Sequence, residues 1–215
     1  MSDDIPRQSF HDVGWRIVRD DAAAHFRTGS FAKGVALVDA IGRIADTPGQ
    51  LPNVDLRPDG VTVRLALHTL DAAVVPSERN LVLARQISAA AHELGLPADP
   101  ASLQSVQIAI DAMVIPEVLP FWRAVLGYEQ VGDEDVMDRL AQAPPVWFQQ
   151  MDAPRPQRNR IHVDLYVPHD QAEARVAAAL AAGGHIASDQ HAPEWWTLAD
   201  PEGNEVDVAP WPDLD

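Results

Sequence analysis

One stretch in the second half of the chain alternates polar and apolar side chains around a histidine. A period of two places His162 on the same face as Arg160, Asp164 and Tyr166, while the intervening side chains are apolar. Imidazole and carboxylate groups bind metal ions and carry protons. This face is therefore a candidate wall of a binding cavity, and the alternative is a solvated face of a flat sheet.

A second pair of acidic residues follows a tight turn near the end of the chain. Asp200–Gly203 has the composition of a turn, because Pro presets φ and Gly accepts a positive φ. After it, Glu205 and Asp207 face one way and the valines that alternate with them face the other. Both carboxylates could line the same cavity as His162.

Aromatic and isolated histidine side chains give weaker signals. Trp195 and Trp196 are adjacent in a predicted strand, so one faces the core and the other faces a pocket or an interface. An aromatic side chain facing a cavity suits a flat ligand. His68 ends a predicted strand, where it either packs at a sheet edge or contributes to a site.

Composition argues against several classes of partner and of chemistry. The formal net charge is -16, which disfavours nucleic acid and anionic membrane surfaces, since both bind through Lys and Arg. The absence of cysteine excludes disulfides and thiolate chemistry. The acidic start, Met1–Asp4, lacks an apolar signal region, and no stretch is long and apolar enough to span a membrane. We predict a cytoplasmic protein.

The first half predicts a small α+β domain over residues 1–96, with the element order β-β-α-β-β-α. Ser30 is a predicted N-cap for a helix over residues 30–46, and a second helix opens after Ser77 and ends at Gly95. The predicted inward-facing side chains of the first helix are Phe31, Val35, Val38, Ile41 and Ala45. Residues 97–103 are rich in proline and predict a linker.

The second half, residues 104–215, repeats one pattern. A strand at 105–112, a helix at 116–126 and further strands are followed by a strand at 161–167 and a helix at 171–182 with three more strands. Two β-α-β-β-β units in series indicate a duplication, and each half-sheet needs its twin to close a cavity. The predicted fold class is therefore α+β throughout.

The first half resembles the pterin-4a-carbinolamine dehydratases over about residues 9–95. The residues that carry the resemblance are Trp15, the run from Phe26 through Phe31 to Val35, Pro52–Leu56, His68, Glu78, Arg79, Leu83 and Ala84. The resemblance implies a two-layer α+β fold, assembly as a homo-oligomer, and dehydration of a 4a-hydroxy pterin by histidines. His68 matches one family histidine and is the implied catalytic residue. Gln50 and Leu51 stand where the family has its histidine pair before Pro52, so the catalytic set is incomplete; Gln50 and Pro52 are implied ligand contacts.

The second half resembles the glyoxalase-like members of the vicinal oxygen chelate superfamily over about residues 104–211. The motifs are Pro120–Trp122, Val125–Tyr128, Arg160–Asp164 and Ala199–Glu205. Metal-using members place one ligand on the first strand and one on the last strand of each unit. By position, the resemblance implies Gln107, then Gln149 or Gln150, then His162, and last Asp207 with Glu205 beside it. Amides are weak ligands for zinc, so a pocket without a metal is favoured over a divalent metal centre.

Three functions stay open. The first is a pterin-4a-carbinolamine dehydratase with a glyoxalase-like partner domain, and the second is a ligand-binding protein that keeps both folds without turnover. A third places metal-dependent glyoxalase or dioxygenase chemistry in the second half. In each case the predicted partner is a small molecule, a pterin among the candidates, and the predicted contacts in the second half are Arg160, Tyr166, Trp195 and Trp196.

Overall fold

The computed structural model describes residues 5–19, 21–45, 51–67, 77–154 and 161–210. The chain divides into two compact units, Met1–Ser105 and Val106–Asp215. Each unit has its own apolar core. In the part of the chain that the structure describes, no helix has both the length and the apolar character needed to cross a membrane.

The first unit is an antiparallel four-stranded sheet with helices. Its elements are α1 (Arg7–His11), β1 (Arg16–Val18), β2 (Asp21–Arg27), α2 (Phe31–Ile44), β3 (Asn53–Arg57), β4 (Gly60–Ala66) and α3 (Glu78–Glu93). The strands lie in the order β1-β2-β4-β3, and every pair is antiparallel. From β1 onward this is the predicted order of elements, and α1 is an addition to it.

Serines at the predicted starts of both long helices of the first unit cap them. The Ser30 hydroxyl accepts a hydrogen bond from the Lys33 N–H at 3.4 Å, and Ser77 forms a capping box with Asn80. Each cap satisfies a backbone donor that the first turn of a helix leaves unpaired.

The inward face of α2 differs from the prediction. Gly34, Leu37 and Ile41 are its buried residues, whereas Phe31 and Val35 are 55% and 46% exposed. A Cβ at Gly34 would collide with the Leu56 side chain, so the glycine marks the place where the helix approaches the sheet most closely. The helical spacing of apolar residues favoured Phe31, because spacing alone does not show where the helix comes closest to the sheet.

Residues 97–99 pack along the first unit. The Arg27 N–H donates to the Pro97 carbonyl at 3.0 Å, and the Asp99 N–H donates to the His25 carbonyl at 2.7 Å. A single bridge pairs Phe26 with Ala98. The segment predicted as a linker therefore lies along β2, beyond the residues of β2 that pair with β1, before the chain enters the second unit.

The second unit consists of two half-sheets with the same strand order. Its elements are β5 (Ile108–Ala112), α4 (Ile115–Leu126), β6 (Glu129–Val131), β7 (Asp135–Met137), β8 (Val146–Gln150), β9 (Val163–Val167), α5 (Ala172–Ala181), β10 (His185–Ser188), β11 (Trp196–Ala199) and β12 (Glu205–Pro210). The orders are β5-β8-β7-β6 and β9-β12-β11-β10. In both, the first and last strands of the unit pair in parallel. The shared topology supports the predicted duplication.

One core joins the two half-sheets. Phe121 and Trp122 of α4, Phe148 of β8, and Leu198 and Val206 of the second half-sheet are fully or nearly fully buried in a single cluster. The apolar faces of both half-sheets therefore point to the helices, which leaves their opposite faces to carry polar groups.

Candidate functional site

The parallel pair β9 and β12 positions the candidate residues. Val163 pairs with Val206 and Leu165 with Val208, and all four pack in the core. Asp164 pairs with Asp207 between these two apolar pairs. Because successive side chains of a strand point to opposite faces, both carboxylates lie on the face of the sheet that is turned away from the core. The predicted polar face is thus present.

Three side chains meet on this face. His162 Nε2 lies 3.2 Å from an Asp164 carboxylate oxygen and 3.7 Å from an Asp207 carboxylate oxygen. The three donor atoms all lie within 4.8 Å of one another. The side chains of His162 and Asp164 are about half exposed, whereas that of Asp207 is 22% exposed. We call these three residues the His–Asp–Asp cluster.

The His–Asp–Asp cluster fits a divalent cation. Ligand atoms about 2.1 Å from an octahedral ion lie about 3 Å from their neighbours, and His162 Nε2 lies 3.2 and 3.7 Å from the two carboxylates. Two carboxylates balance the charge of the ion, and a neutral imidazole supplies the nitrogen ligand. Within the described ranges, no other group of three or more His, Cys, Asp or Glu side chains has this geometry.

The predicted glutamine ligands belong to the first half of the domain, on or beside strands β5 and β8. Gln107 is exposed and its amide donates to Asp135 at 3.3 Å. The Gln150 amide donates to the carbonyls of Met113 and Met151 at 2.8 and 2.9 Å. Period two puts Gln150 on the same face as buried Phe148, so of the two alternatives Gln149 is the one on the face of Gln107.

Strand register also shows why the first half-sheet lacks the acidic pair. Ile108 pairs with Val146 as Val163 pairs with Val206 in the second half-sheet. The next pair is Ala109 with Trp147, in the place where the second half-sheet has Asp164 with Asp207. Among the described residues, the group of His and Asp side chains that could hold a metal ion therefore lies on the second half-sheet.

Comparison with known proteins agrees with this architecture. Residues 107–209 match the model of a family described as a glyoxalase-like domain. This segment is a glyoxalase-like domain. The match does not reach the first unit, so the comparisons give no support to the dehydratase-like half of the prediction.

Solved structures are also similar to part of the chain. A glyoxalase-related enzyme from Fulvimarina pelagi is 18% identical, with a TM-score of 0.41, and the match covers 51% of this chain and 90% of that one. A glyoxalase/bleomycin resistance protein from Albidiferax ferrireducens is 18% identical, with a TM-score of 0.41 and coverages of 49% and 97%. The fosfomycin resistance protein FosX from Listeria monocytogenes, complexed with Mn(II) and sulfate, is 9% identical, with a TM-score of 0.40 and coverages of 50% and 90%. No curated protein matches the chain.

Tyr166, a predicted ligand contact of the glyoxalase-like domain, shares the face of the cluster. Tyr166 pairs with Ala209 and is 63% exposed. Trp196, the first residue of β11, pairs with Val208 and packs against the core, and Trp195 immediately precedes the strand. The Trp195 ring stacks on His191 with centroids 4.0 Å apart. Trp196 is therefore the tryptophan that packs against the core, and a pocket contact for Trp195 stays a prediction.

Glu205 lies beside the cluster without belonging to it. It is half-buried, precedes Asp207 by two residues on the same face, and pairs with Ala199 of β11. The donor atoms that lie within 4.8 Å of one another include one from Asp164 and none from Glu205. Asp164 was on the predicted polar face, but the four-strand pattern implied by the family resemblance did not assign it as a ligand.

Three predicted site residues, Gln50, His68 and Arg160, lie outside the described residues. Pro52 is half-buried immediately before β3. The dehydratase site implied for the first unit therefore stays a prediction.

The Asp200–Gly203 turn has a structural role in the glyoxalase-like domain. The Asp200 carboxylate is fully buried and accepts a hydrogen bond from the Trp122 indole N–H at 2.9 Å. The Glu202 carboxylate accepts the backbone N–H groups of Met113 and Val114, both at 2.7 Å, immediately before α4. A carboxylate at a helix N-terminus satisfies unpaired donors and complements the helix dipole. The turn thus ties β12, which carries Asp207, to the first half-sheet.

Proposed function

We propose that the glyoxalase-like domain is an enzyme domain that binds a divalent metal ion and a small-molecule substrate at the His–Asp–Asp cluster. The observation that carries this proposal is the convergence of His162, Asp164 and Asp207 on one sheet face, with all donor atoms within 4.8 Å. The proposal takes up the metal-dependent glyoxalase or dioxygenase chemistry among the predicted functions.

The donor set determines which ions suit the site. One imidazole nitrogen and two carboxylate oxygens favour Mn²⁺ or Fe²⁺, whereas structural zinc sites are usually closed by four ligands rich in sulfur and nitrogen. Three protein ligands leave coordination positions open to water and substrate. An ion bound there supplies Lewis acidity to a substrate oxygen.

The chain's own residues set the conditions around the ion. Half exposure of His162 and Asp164 gives a small molecule access to the cluster, while the less exposed Asp207 is fixed by strand β12. Glu205, half-buried on the same face, is the carboxylate placed to hold or move a proton beside the bound substrate.

Metal titration tests the proposal. Electron paramagnetic resonance of free Mn²⁺, titrated against the full chain, is expected to show one bound ion per chain. His162→Gln and Asp207→Asn each remove one ligand and are expected to weaken Mn²⁺ binding at least about tenfold. Asp170→Asn, an exposed carboxylate in the same unit, is the matched control because it changes the net charge equally.

An equal loss of Mn²⁺ affinity in Asp170→Asn and Asp207→Asn would show that binding depends only on the net negative charge of the chain. Absence of saturable Mn²⁺ and Fe²⁺ binding to the parent protein would contradict the proposal outright.

A second candidate function is dehydration of a pterin 4a-carbinolamine by the first unit. The observation that favours it is the order β-β-α-β-β-α on an antiparallel sheet, which is the arrangement that the resemblance implies. If this candidate is correct, the full chain speeds the dehydration above its spontaneous rate and His68→Ala abolishes the gain. A parent rate equal to that of buffer alone would eliminate it.

Homo-oligomer formation and a cytoplasmic location stay predictions.

A further inference from the structure

The sheet of the first unit turns one face away from its helices. On β2 and β4 every second side chain packs in the core with the helices, namely Ala22, Ala24, Phe26, Val61, Val63 and Leu65. The side chains between them point to the opposite face. Four cross-strand partners form one row of that face, on strands β1, β2, β4 and β3: Arg16, Ala23, Arg64 and Asn53. We call these four residues the arginine row.

Two arginines flank a small side chain in the arginine row. Ala23 is 1% exposed although it is not part of the core cluster. Its partners on both neighbouring strands are Arg16 and Arg64, both half-buried, so their apolar stems are placed to cover it. Neighbouring strands are about 4.8 Å apart, so the Cα atoms of the two arginines lie about 10 Å apart. Two side chains as long as arginine can close from both sides on one small anion above Ala23.

Neither of these arginines pairs with a carboxylate among the described residues. The Arg16 guanidinium donates to the Trp15 carbonyl at 2.7 Å, and within the same part of the chain the Arg64 side chain has no hydrogen bond or ion pair. The chain has 32 acidic and 16 basic residues, so carboxylates are the abundant partner for a cation. Two neighbouring guanidinium groups that no carboxylate holds can bind an anion from solution.

The other end of the same face has its positive charges neutralised. Arg27, Gly60 and Arg57 form a parallel row about 13 Å along the strands. Arg27 Nε lies 3.7 Å from an Asp99 carboxylate oxygen, and Arg57 Nε lies 2.9 Å from one of Asp55. Among the described residues of the sheet, unpaired positive charge is therefore confined to the arginine row, which suits one small anionic group better than a polyanion.

We propose that Arg16 and Arg64 bind the phosphate group of a phosphorylated small molecule above Ala23. Planar guanidinium groups match phosphate oxygens with paired hydrogen bonds, and two of them balance the charge of a phosphate monoester. Asn53, exposed beside Arg64 in the same row, adds an amide donor. The site belongs to the first unit and is independent of the metal centre proposed for the glyoxalase-like domain.

Isothermal titration of the full chain with inorganic phosphate tests the site. At constant ionic strength, saturable binding of one phosphate ion per chain is expected. Acetate should bind at least about tenfold more weakly, because it carries a single charge and accepts fewer hydrogen bonds. Glycerol 3-phosphate should bind at least as tightly as a phosphoserine peptide, since the arginine row has room for the phosphate group and little else.

Variants locate the bound phosphate. Arg16→Gln and Arg64→Gln are each expected to weaken phosphate binding about tenfold. Arg64→Lys should weaken it less, because lysine keeps the charge but loses the planar fork. Arg43→Gln removes the same charge from an exposed position of α2 and should bind phosphate like the parent. Far-ultraviolet circular dichroism of each variant verifies that the fold is retained.

Several results would overturn the proposal. An equal loss of phosphate affinity in Arg43→Gln and Arg64→Gln would show that binding depends only on the net charge of the chain. Absence of saturable phosphate binding to the parent, or acetate binding as tight as that of phosphate, would remove the site. Tighter binding of the phosphoserine peptide than of glycerol 3-phosphate would contradict the assignment to a small molecule.

Discussion

Asp200→Ala is expected to destabilise the glyoxalase-like domain by about 3 to 5 kcal/mol. The buried carboxylate accepts four hydrogen bonds: from the Trp122 indole at 2.9 Å, from the backbone N–H groups of Glu202 and Asn204 at 2.9 Å each, and from the Asn204 amide at 2.8 Å. Each buried donor left without a partner costs about 1 to 3 kcal/mol, and partial rehydration of the turn reduces the sum.

Urea denaturation followed by tryptophan fluorescence measures this loss. Asp200→Asn keeps the size of the side chain but replaces one acceptor oxygen by a donor, so its loss should be intermediate. Asp170→Ala, an exposed aspartate of the same unit, should change stability by less than about 0.5 kcal/mol. A loss below about 1 kcal/mol in Asp200→Ala would show that the turn does not hold the two half-sheets together.

Gly184→Ala is expected to destabilise the same domain by about 3 kcal/mol. A Cβ at this position would overlap the ring of Phe121 and come within 3.0 Å of the Ala179 carbonyl oxygen. Phe121 is fully buried, so the ring cannot move aside without disturbing the core of α4.

A second substitution should relieve the overlap. Phe121→Leu alone is destabilising, but the double variant is expected to be more stable than the sum of the two single losses predicts, as thermal or urea unfolding can show. Gly42→Ala is the control, because no atom approaches that position and alanine is the better helix former. Strict additivity of the two substitutions would contradict the steric explanation.

The order of elements could be predicted because local patterns determine it. Ser30 and Ser77 cap the helices they were predicted to begin, and alternating Val61, Val63 and Leu65 are all buried in β4. Strand β7 is not evident from the sequence, since its first residue, Asp135, closes the acidic run Asp133–Asp135, which is typical of a solvated turn. Its place in the sheet depends on pairing with β8, which local sequence does not specify.

The face of the candidate site could be predicted, but the three residues that meet on it could not all be named in advance. Period two places His162, Asp164 and Asp207 on one side of their strands from the sequence alone. Which of them converge depends on the register between β9 and β12, and that register aligns Asp164 with Asp207. The same dependence explains why Gln150 was a candidate although its side chain lies on the opposite face from Gln107.

The Asp200–Gly203 turn carries the resemblance to the glyoxalase-like family, but it does not carry the chemistry of the candidate site. Its residues build the scaffold: Asp200 binds Trp122 and Glu202 caps the start of α4. They position β12, and none of them belongs to the cluster. A scaffold of this kind is compatible with many chemistries, so the function has to be argued from the cluster.

Pulsed electron paramagnetic resonance on Mn²⁺-loaded protein tests the metal site most directly. Electron spin echo modulation from one coordinated imidazole nitrogen is expected in the parent protein, and it should disappear in His162→Gln while persisting in His191→Gln. Bound Mn²⁺ without histidine nitrogen modulation, or modulation that survives in His162→Gln, would contradict the assignment of the His–Asp–Asp cluster as the metal centre.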